Sequence, residues 1–464
     1  MLMTFIGLYL LGTLLIGYLA SRRVKNTRDF VVAGRKLPLV VAGSAMFATW
    51  FGSETVMGAP SEFVHHGVLG IMEDPFGAAL CLMLAGGLVA RPMYRLNILT
   101  FNDYYRMRYG RATEFLSALF MVPSYFGWIA AQMVAMALIL NVLLGIPISA
   151  GIMVCAVIVV FYTYIGGMWA VSVTDFVQSI MIIAGLLFMA WQLGGQAGGV
   201  QAVWAAQPDG FFRFFPDRNL HDIAHYVAAW ITIGLGSIPQ QDVFQRIMAA
   251  KDERTAVRAS YLGGVMYLTI GMVPLYIGLC AKMLHPELLA DDPQKLLPAM
   301  VMQYGGMGLQ ILFFGAVLSA ILSTTSGAVL APATVVGENL VRPLFRNISD
   351  AMLLKVMRWS VAGVALLSTM AALSGESIFD LVAWSSVFSL VSLFVPLVAG
   401  LYWRRASSLG ALLSIVLGML TWLWCEYLYP TDVPSLFYGL GGSLVGMLVG
   451  SWWRPDLRGS LPPP

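Results

Sequence analysis

Apolar residues run along this chain in stretches near twenty residues, separated by short polar connectors. A helix of about 20 apolar residues crosses a hydrocarbon core of roughly 30 Å. The pattern predicts spans near residues 3–20, 38–63, 75–95, 113–143, 148–166, 174–194, 226–247, 257–281, 308–336, 354–374, 377–400, 407–427 and 433–453. The expected class is an all-α membrane protein with about thirteen transmembrane helices, forming one polytopic domain over residues 1–464. The first span could pass for a signal peptide, but its basic residues follow the apolar run instead of preceding it, so it is expected to remain in the mature protein.

The connectors give an orientation. Cytoplasmic loops retain Lys and Arg, and translocated loops do not. Arg22, Arg23, Lys25, Arg28, Arg35 and Lys36 crowd the first connector, and Arg91, Arg95, Arg106, Arg108 and Arg111 the third. The pattern recurs at Arg246, Lys251, Arg254 and Arg258, at Arg342, Arg346, Lys355 and Arg358, at Arg404 and Arg405, and at Arg454 and Arg458. On this reading 23 of the 27 basic residues face one side, while the alternate connectors carry acids such as Glu73, Asp74, Glu287, Asp291 and Asp292. An odd number of spans then puts the N-terminus outside and the C-terminus in the cytoplasm, in the inner (plasma) membrane. The FFRFF run at 211–215 is expected at the outer interface.

Composition agrees: 59% of residues are hydrophobic and 11% charged, with a mean hydropathy of +0.78, against about 25% charged in a soluble domain. The net charge of +3 follows from topology and shows no basic, aromatic-interleaved groove for nucleic acid. Cys81, Cys155, Cys280 and Cys425 lie far apart in apolar stretches and read as packing residues.

Two spans break the rule that a lipid-facing helix satisfies its own backbone. Gly, Pro and charge clustered within a span imply irregular backbone facing a cavity. In AMFATWFGSETVMGAP (45–60), Gly52 precedes Ser53, Glu54 and Thr55; in GLGSIPQQDVFQR (234–246), Pro239 precedes Gln240, Gln241 and Asp242. They are the second and seventh spans, five apart, as expected of inverted repeats at 38–194 and 226–400, with flanking segments at 1–37 and 407–453. Such repeats place broken helices opposite each other at the midplane, where solute and coupling ion bind. Carboxylates within spans are functional candidates, although Glu54 could sit near a helix end and Asp242 could pair with Arg246 at i,i+4. A third polar run, LSAILSTTSGAV (318–329), offers hydroxyls of the kind a hard monovalent cation prefers; such hydroxyls also bond back to their own helix.

With these residues in view, the chain resembles the sodium:solute symporter family from about residue 4 to residue 450. The most specific part is YTYIGGMWAVSVTDFVQ (162–178), similar to the family signature; TFNDYYRMRYG (100–110), FQRIMAA (244–250) and FVPLVAGLYWRRASSLGALLSIVLG (394–418) support it. The resemblance implies a five-plus-five inverted-repeat core of the leucine-transporter type with extra flanking helices. It implies sodium as coupling ion, held by carbonyls of Ala48, Phe51 and Ala320 and hydroxyls of Ser323 and Thr324. Asp175 matches a family residue on the sodium exit route, and could equally cap the sixth span.

Substrate positions differ among members. ATWFG (48–52) looks like the choline-carrier branch, in which the residue matching Trp50 belongs to an aromatic cage. The cage tryptophans expected on the seventh and fourth spans fall on Gln240 and near Ala131. Glu73 matches an acid that contacts sugar in galactose carriers, but could cap the third span. With Glu54, Glu73 and Asp242 as further candidates, the expected solute is a small zwitterion or amine such as an amino acid, ahead of a sugar.

His221 and His225 lack a third metal ligand, and no nucleotide loop or nucleophile elbow points to an enzyme. The expected partners are a small solute and the lipid bilayer, with no nucleic acid and no obligate protein. The rivals are a transporter-like solute sensor, disfavoured by the short tail after the last span, and a channel, disfavoured by the lack of a selectivity sequence.

Overall fold

The computed structural model describes residues 2–455 except 291 and 346. Asp291, Arg346 and Arg458, counted above among the connector charges, lie outside the described residues. Among those described the chain is helical with no strand. Among the described residues nine helices are long and apolar enough to cross a membrane, and Ile148–Tyr164 is a shorter apolar helix. This count does not confirm the expected thirteen, and one of the nine, Glu54–Leu96, joins parts of two expected spans.

Both clustered Gly/Pro stretches are breaks. The second span starts as Leu39–Phe47, opens through residues 48–53 and resumes at Glu54. The seventh runs Leu220–Gly236, opens through residues 237–240 and resumes as Gln241–Ala249. At each break a glycine permits close approach. A Cβ on Gly52 would lie 2.8 Å from Gln132 Oε1 and 3.5 Å from Thr324 Oγ1. One on Gly236 would strike the Ser386 carbonyl.

The connector between the fifth and sixth spans is shorter than expected. Ile148–Tyr164 and Gly167–Gln196 are separate helices joined by a turn at Gly167, at φ 64°. L side chains avoid that left-handed region, and a Cβ there would lie 2.6 Å from the Phe30 ring. The Gly-Gly pair of the signature thus supplies a sharp turn under Phe30. It also overturns the reading of Asp175 as a cap, since that residue lies eight positions beyond the turn, inside the helix.

The stretch 100–110 forms a short helix, Phe101–Tyr109, closed at its start by reciprocal bonds between Thr100 and Asp103. Its function is to satisfy backbone elsewhere. The helix Ile378–Ser389 continues through a wide turn, Leu390–Phe394, into Val395–Tyr402, which carries Pro396 near its start. Side chains of Phe101–Tyr109 donate to carbonyls along it. Tyr105 donates to Leu393 O (2.7 Å), Tyr109 to Pro396 O (2.7 Å), Tyr104 to Leu397 O (3.2 Å) and Arg108 to Gly400 O (3.2 Å). Two stretches that carried the resemblance are therefore two halves of one contact.

The loops flanking the two broken spans also meet. Leu37 N–H donates to Ala249 O and Lys251 N–H to Leu37 O, both at 3.0 Å, and Tyr94 OH donates to Ala250 O at 2.9 Å. On the other side the phenylalanine run folds over the helix ends: Phe211 O accepts from Val68 N–H at 3.0 Å, and the Phe63 and Phe211 ring centroids lie 5.2 Å apart.

Candidate functional site

The helix Met307–Val335 is buried along nearly its whole length, so its hydroxyls must find partners inside the protein. Thr325 and Thr334 bond back to Ile321 O and Leu330 O, one turn earlier in the same helix. Ser323 and Thr324 reach outward instead. Thr324 Oγ1 donates to Ala48 O at 3.0 Å, in the break of the second span. Ser323 Oγ donates to Asp175 Oδ1 at 2.6 Å and lies 3.3 Å from Thr174 Oγ1. Phe51 and Ala320 are buried beside them in sequence.

The signature stretch supplies the other wall. Thr174, Asp175 and Gln178 share one helical face, spaced at i,i+3 and i,i+4. Tyr162 OH lies 3.1 Å from Thr174 Oγ1, and Gln178 Nε2 donates to Ser319 Oγ at 2.5 Å. The signature is thus a polar seam against the hydroxyl-rich helix.

Arg246 corrects the charge reading. Counted with the cytoplasmic connectors, it is 1% exposed and points into the core. Its Nε donates to Ala45 O at 2.9 Å, its Nη1 to the main-chain carbonyl of Asp242 at 3.4 Å, and its Nη2 lies 3.7 Å from Asp175 Oδ2. A buried cation is tolerable when its charge and donors are matched, and Asp175 supplies the countercharge. Arg246 therefore ties the two broken spans to the seam at Asp175. A Cβ on Gly327 would lie 2.8 Å from its Nη2, which accounts for glycine there.

Between the two breaks lies a cavity lined by Trp50, Glu54, Ala78, Trp128, Ile233, Ser237, Gln240, Val382, Ser385 and Ser386. Its empty volume is about 260 Å³, counting space continuous with its opening. Of the sequence candidates, Trp50, Glu54 and Gln240 line it; Glu73 and Asp242 do not. Asp242 is fully buried, and its Oδ1 accepts from Tyr125 OH at 2.7 Å. Glu73 sits next to Asp74, whose side chain does not cap the third span but accepts from Thr55 Oγ1 (3.0 Å) and Tyr267 OH (2.5 Å).

Several site residues escaped the sequence reading. Trp128 stands one helical turn before Ala131, where a cage ring was expected and not found, and its ring lines the cavity. The aligned position was empty, but the i,i+3 neighbour on the same face was not. Gln132, a lone amide in an apolar run, accepts from Ser53 N–H at 3.2 Å. Ser386 and Ser389 hold the second break: Ser389 Oγ donates to Gly236 O (2.5 Å), Gln240 Nε2 to Ser389 Oγ (3.3 Å), and Ser237 and Ser386 hydroxyls lie 3.2 Å apart; Ser385 Oγ instead accepts from Trp128 N–H at 2.7 Å.

Helices of membrane-spanning length around a polar cavity between two broken helices define a multi-pass membrane transporter, built to bind a solute at depth instead of transforming it. The family profile of the sodium:solute symporters matches residues 30–418, and the chain belongs to that family, whose members are transporters and not enzymes. It is 27% identical to a high-affinity choline transporter of Caenorhabditis elegans, over 88% of this chain and 74% of that protein. It is 29% identical to the high-affinity proline transporter PutP of Bacillus subtilis, over 94% of both. A solved structure of a sodium-coupled sialic acid symporter, substrate-bound and outward-open, superimposes with a TM-score of 0.85 at 20% identity over 99% of both chains. The fold is therefore of the leucine-transporter type, and membership of the family implies coupling to sodium.

Proposed function

We propose that this protein is a sodium-coupled symporter that takes up a small amine-bearing organic solute, such as an amino acid or another zwitterion or amine, by alternating access. One observation carries the reading of the ion site: of the hydroxyls on Met307–Val335, Ser323 and Thr324 leave their own helix and reach a carboxylate and a freed carbonyl. The donor set of Ala48, Phe51 and Ala320 carbonyls with the Ser323 and Thr324 hydroxyls is made of neutral oxygens, which suit a monovalent cation. Asp175, bonded to Ser323, is placed to receive the ion on its way to the cytoplasm.

The solute site is the cavity between the breaks, with Trp50, Glu54 and Gln240 as contacts and Glu73 and Asp242 behind them. The two breaks fit inverted repeats at 38–194 and 226–400, with thirteen crossings, the N-terminus outside and the C-terminus in the cytoplasm. Sodium and solute then raise each other's affinity by the same factor, because both favour the arrangement in which the breaks are closed around them.

The test is the double substitution Ser323→Ala with Thr324→Ala. The sodium concentration for half-maximal uptake is expected to rise at least about tenfold, the equivalent of about 1.4 kcal/mol. Unchanged sodium dependence would move the ion elsewhere.

A further inference from the structure

Glu54 is 2% exposed, lines the solute cavity, and its Oε1 accepts no hydrogen bond. The rest of the lining holds no basic residue, only hydroxyls, an amide, apolar side chains and the rings of Trp50 and Trp128. A buried carboxylate oxygen left without a donor is costly, so the cavity has room at Oε1 for a donor brought by the solute.

In this fold the groups that would hold a solute's carboxylate are the free N–H donors where the broken helices restart. Here a protein acceptor takes one of them at each restart. Ser53 N–H donates to Gln132 Oε1 at 3.2 Å, and Asp242 N–H to Tyr125 OH at 3.0 Å. Each restarting helix also carries its own acid in the first turn, Glu54 in one and Asp242 in the other. An anionic group entering the cavity would meet the like charge of Glu54, with neutral side-chain donors and no basic residue to offset it.

Resting on the symporter reading above, we propose that the solute is a small organic cation with N–H donors, a primary or secondary ammonium without a free carboxylate, held by Glu54 between Trp50 and Trp128. The ammonium gives its protons to Glu54 and to the Ser237 and Ser386 hydroxyls. The two rings face its charge, an attraction of about 0.5–2 kcal/mol for each ring. A quaternary ammonium satisfies the rings but leaves Glu54 without a donor, so it binds more weakly.

The experiment is a thermal-shift and competition series on the purified protein in sodium and in potassium, with ethanolamine, butylamine, choline, proline, galactose and lactate. Ethanolamine or butylamine is expected to stabilise the protein in sodium at concentrations at least about tenfold lower than choline or proline. Glu54→Gln should weaken the amine at least about 30-fold, as loss of one partner of a buried charge pair does. Glu54→Asp, which keeps the charge, should retain the order of preference and shows that the fold tolerates change here. Tighter binding of proline, galactose or lactate, no response to either amine, or an unchanged amine affinity in Glu54→Gln would overturn the proposal. Equal stabilisation in potassium would overturn the sodium coupling instead, which separates the two.

Discussion

Arg246 and Asp175 show how one buried pair can join distant segments. Their charged atoms lie 3.7 Å apart with almost no exposure, and Asp175 in turn accepts from Ser323 of the ion-site helix. Arg246→Met is expected to lower stability by about 3–5 kcal/mol, because it strands the carboxylate. Adding Asp175→Asn should recover much of that loss in a thermal unfolding assay; strictly additive losses would mean that the two do not act as a pair. Gly52→Ala is a second residue-scale case, since the new Cβ would lie 2.8 Å from Gln132 Oε1. It should abolish sodium-dependent uptake and cost about 1–3 kcal/mol, and wild-type transport in this variant would contradict the tight fit of the first break. The acids Glu54, Asp175 and Asp242 were legible in the sequence because ionisable groups within spans are rare. Arg246 was not, because an arginine at the end of an apolar run reads as a connector charge until the break before it shortens the helix and draws it inside.

At the scale of elements, the breaks were visible as clustered Gly, Pro and charge, and both lie where that signal put them. The partners of the breaks were not visible. Ser386 and Ser389 sit in an ordinary apolar stretch, and only the fold turns them towards Ser237, Gly236 and Gln240. The connector between the fifth and sixth spans was misjudged for a related reason: a left-handed glycine turns the chain without the polar loop that marks other turns. The tyrosine helix Phe101–Tyr109 has a clear role at this scale. Tyr105→Phe leaves Leu393 O without its donor and should destabilise the protein by about 1–3 kcal/mol. A melting temperature equal to wild type would show that the carbonyl finds another partner.

At the scale of the whole molecule, the loops before the second span and after the seventh are joined at Leu37, Ala249 and Lys251. On the proposed topology the joined side faces the cytoplasm. In intact cells a membrane-impermeant thiol reagent should then label Asp217→Cys, on an exposed connector, and spare Lys251→Cys; the reverse pattern would invert the proposed topology. Family and class were legible from spacing and signature alone, whereas the cavity and the carboxylate in its lining needed the fold.

The central claim is that solute movement is driven by sodium, and proteoliposomes test it most directly. Uptake of ethanolamine, proline, choline and galactose would be followed under an inward sodium gradient and an equal potassium gradient. The account predicts accumulation of at least one of them with sodium and none with potassium. Equal accumulation under both gradients, or none under either, would contradict it.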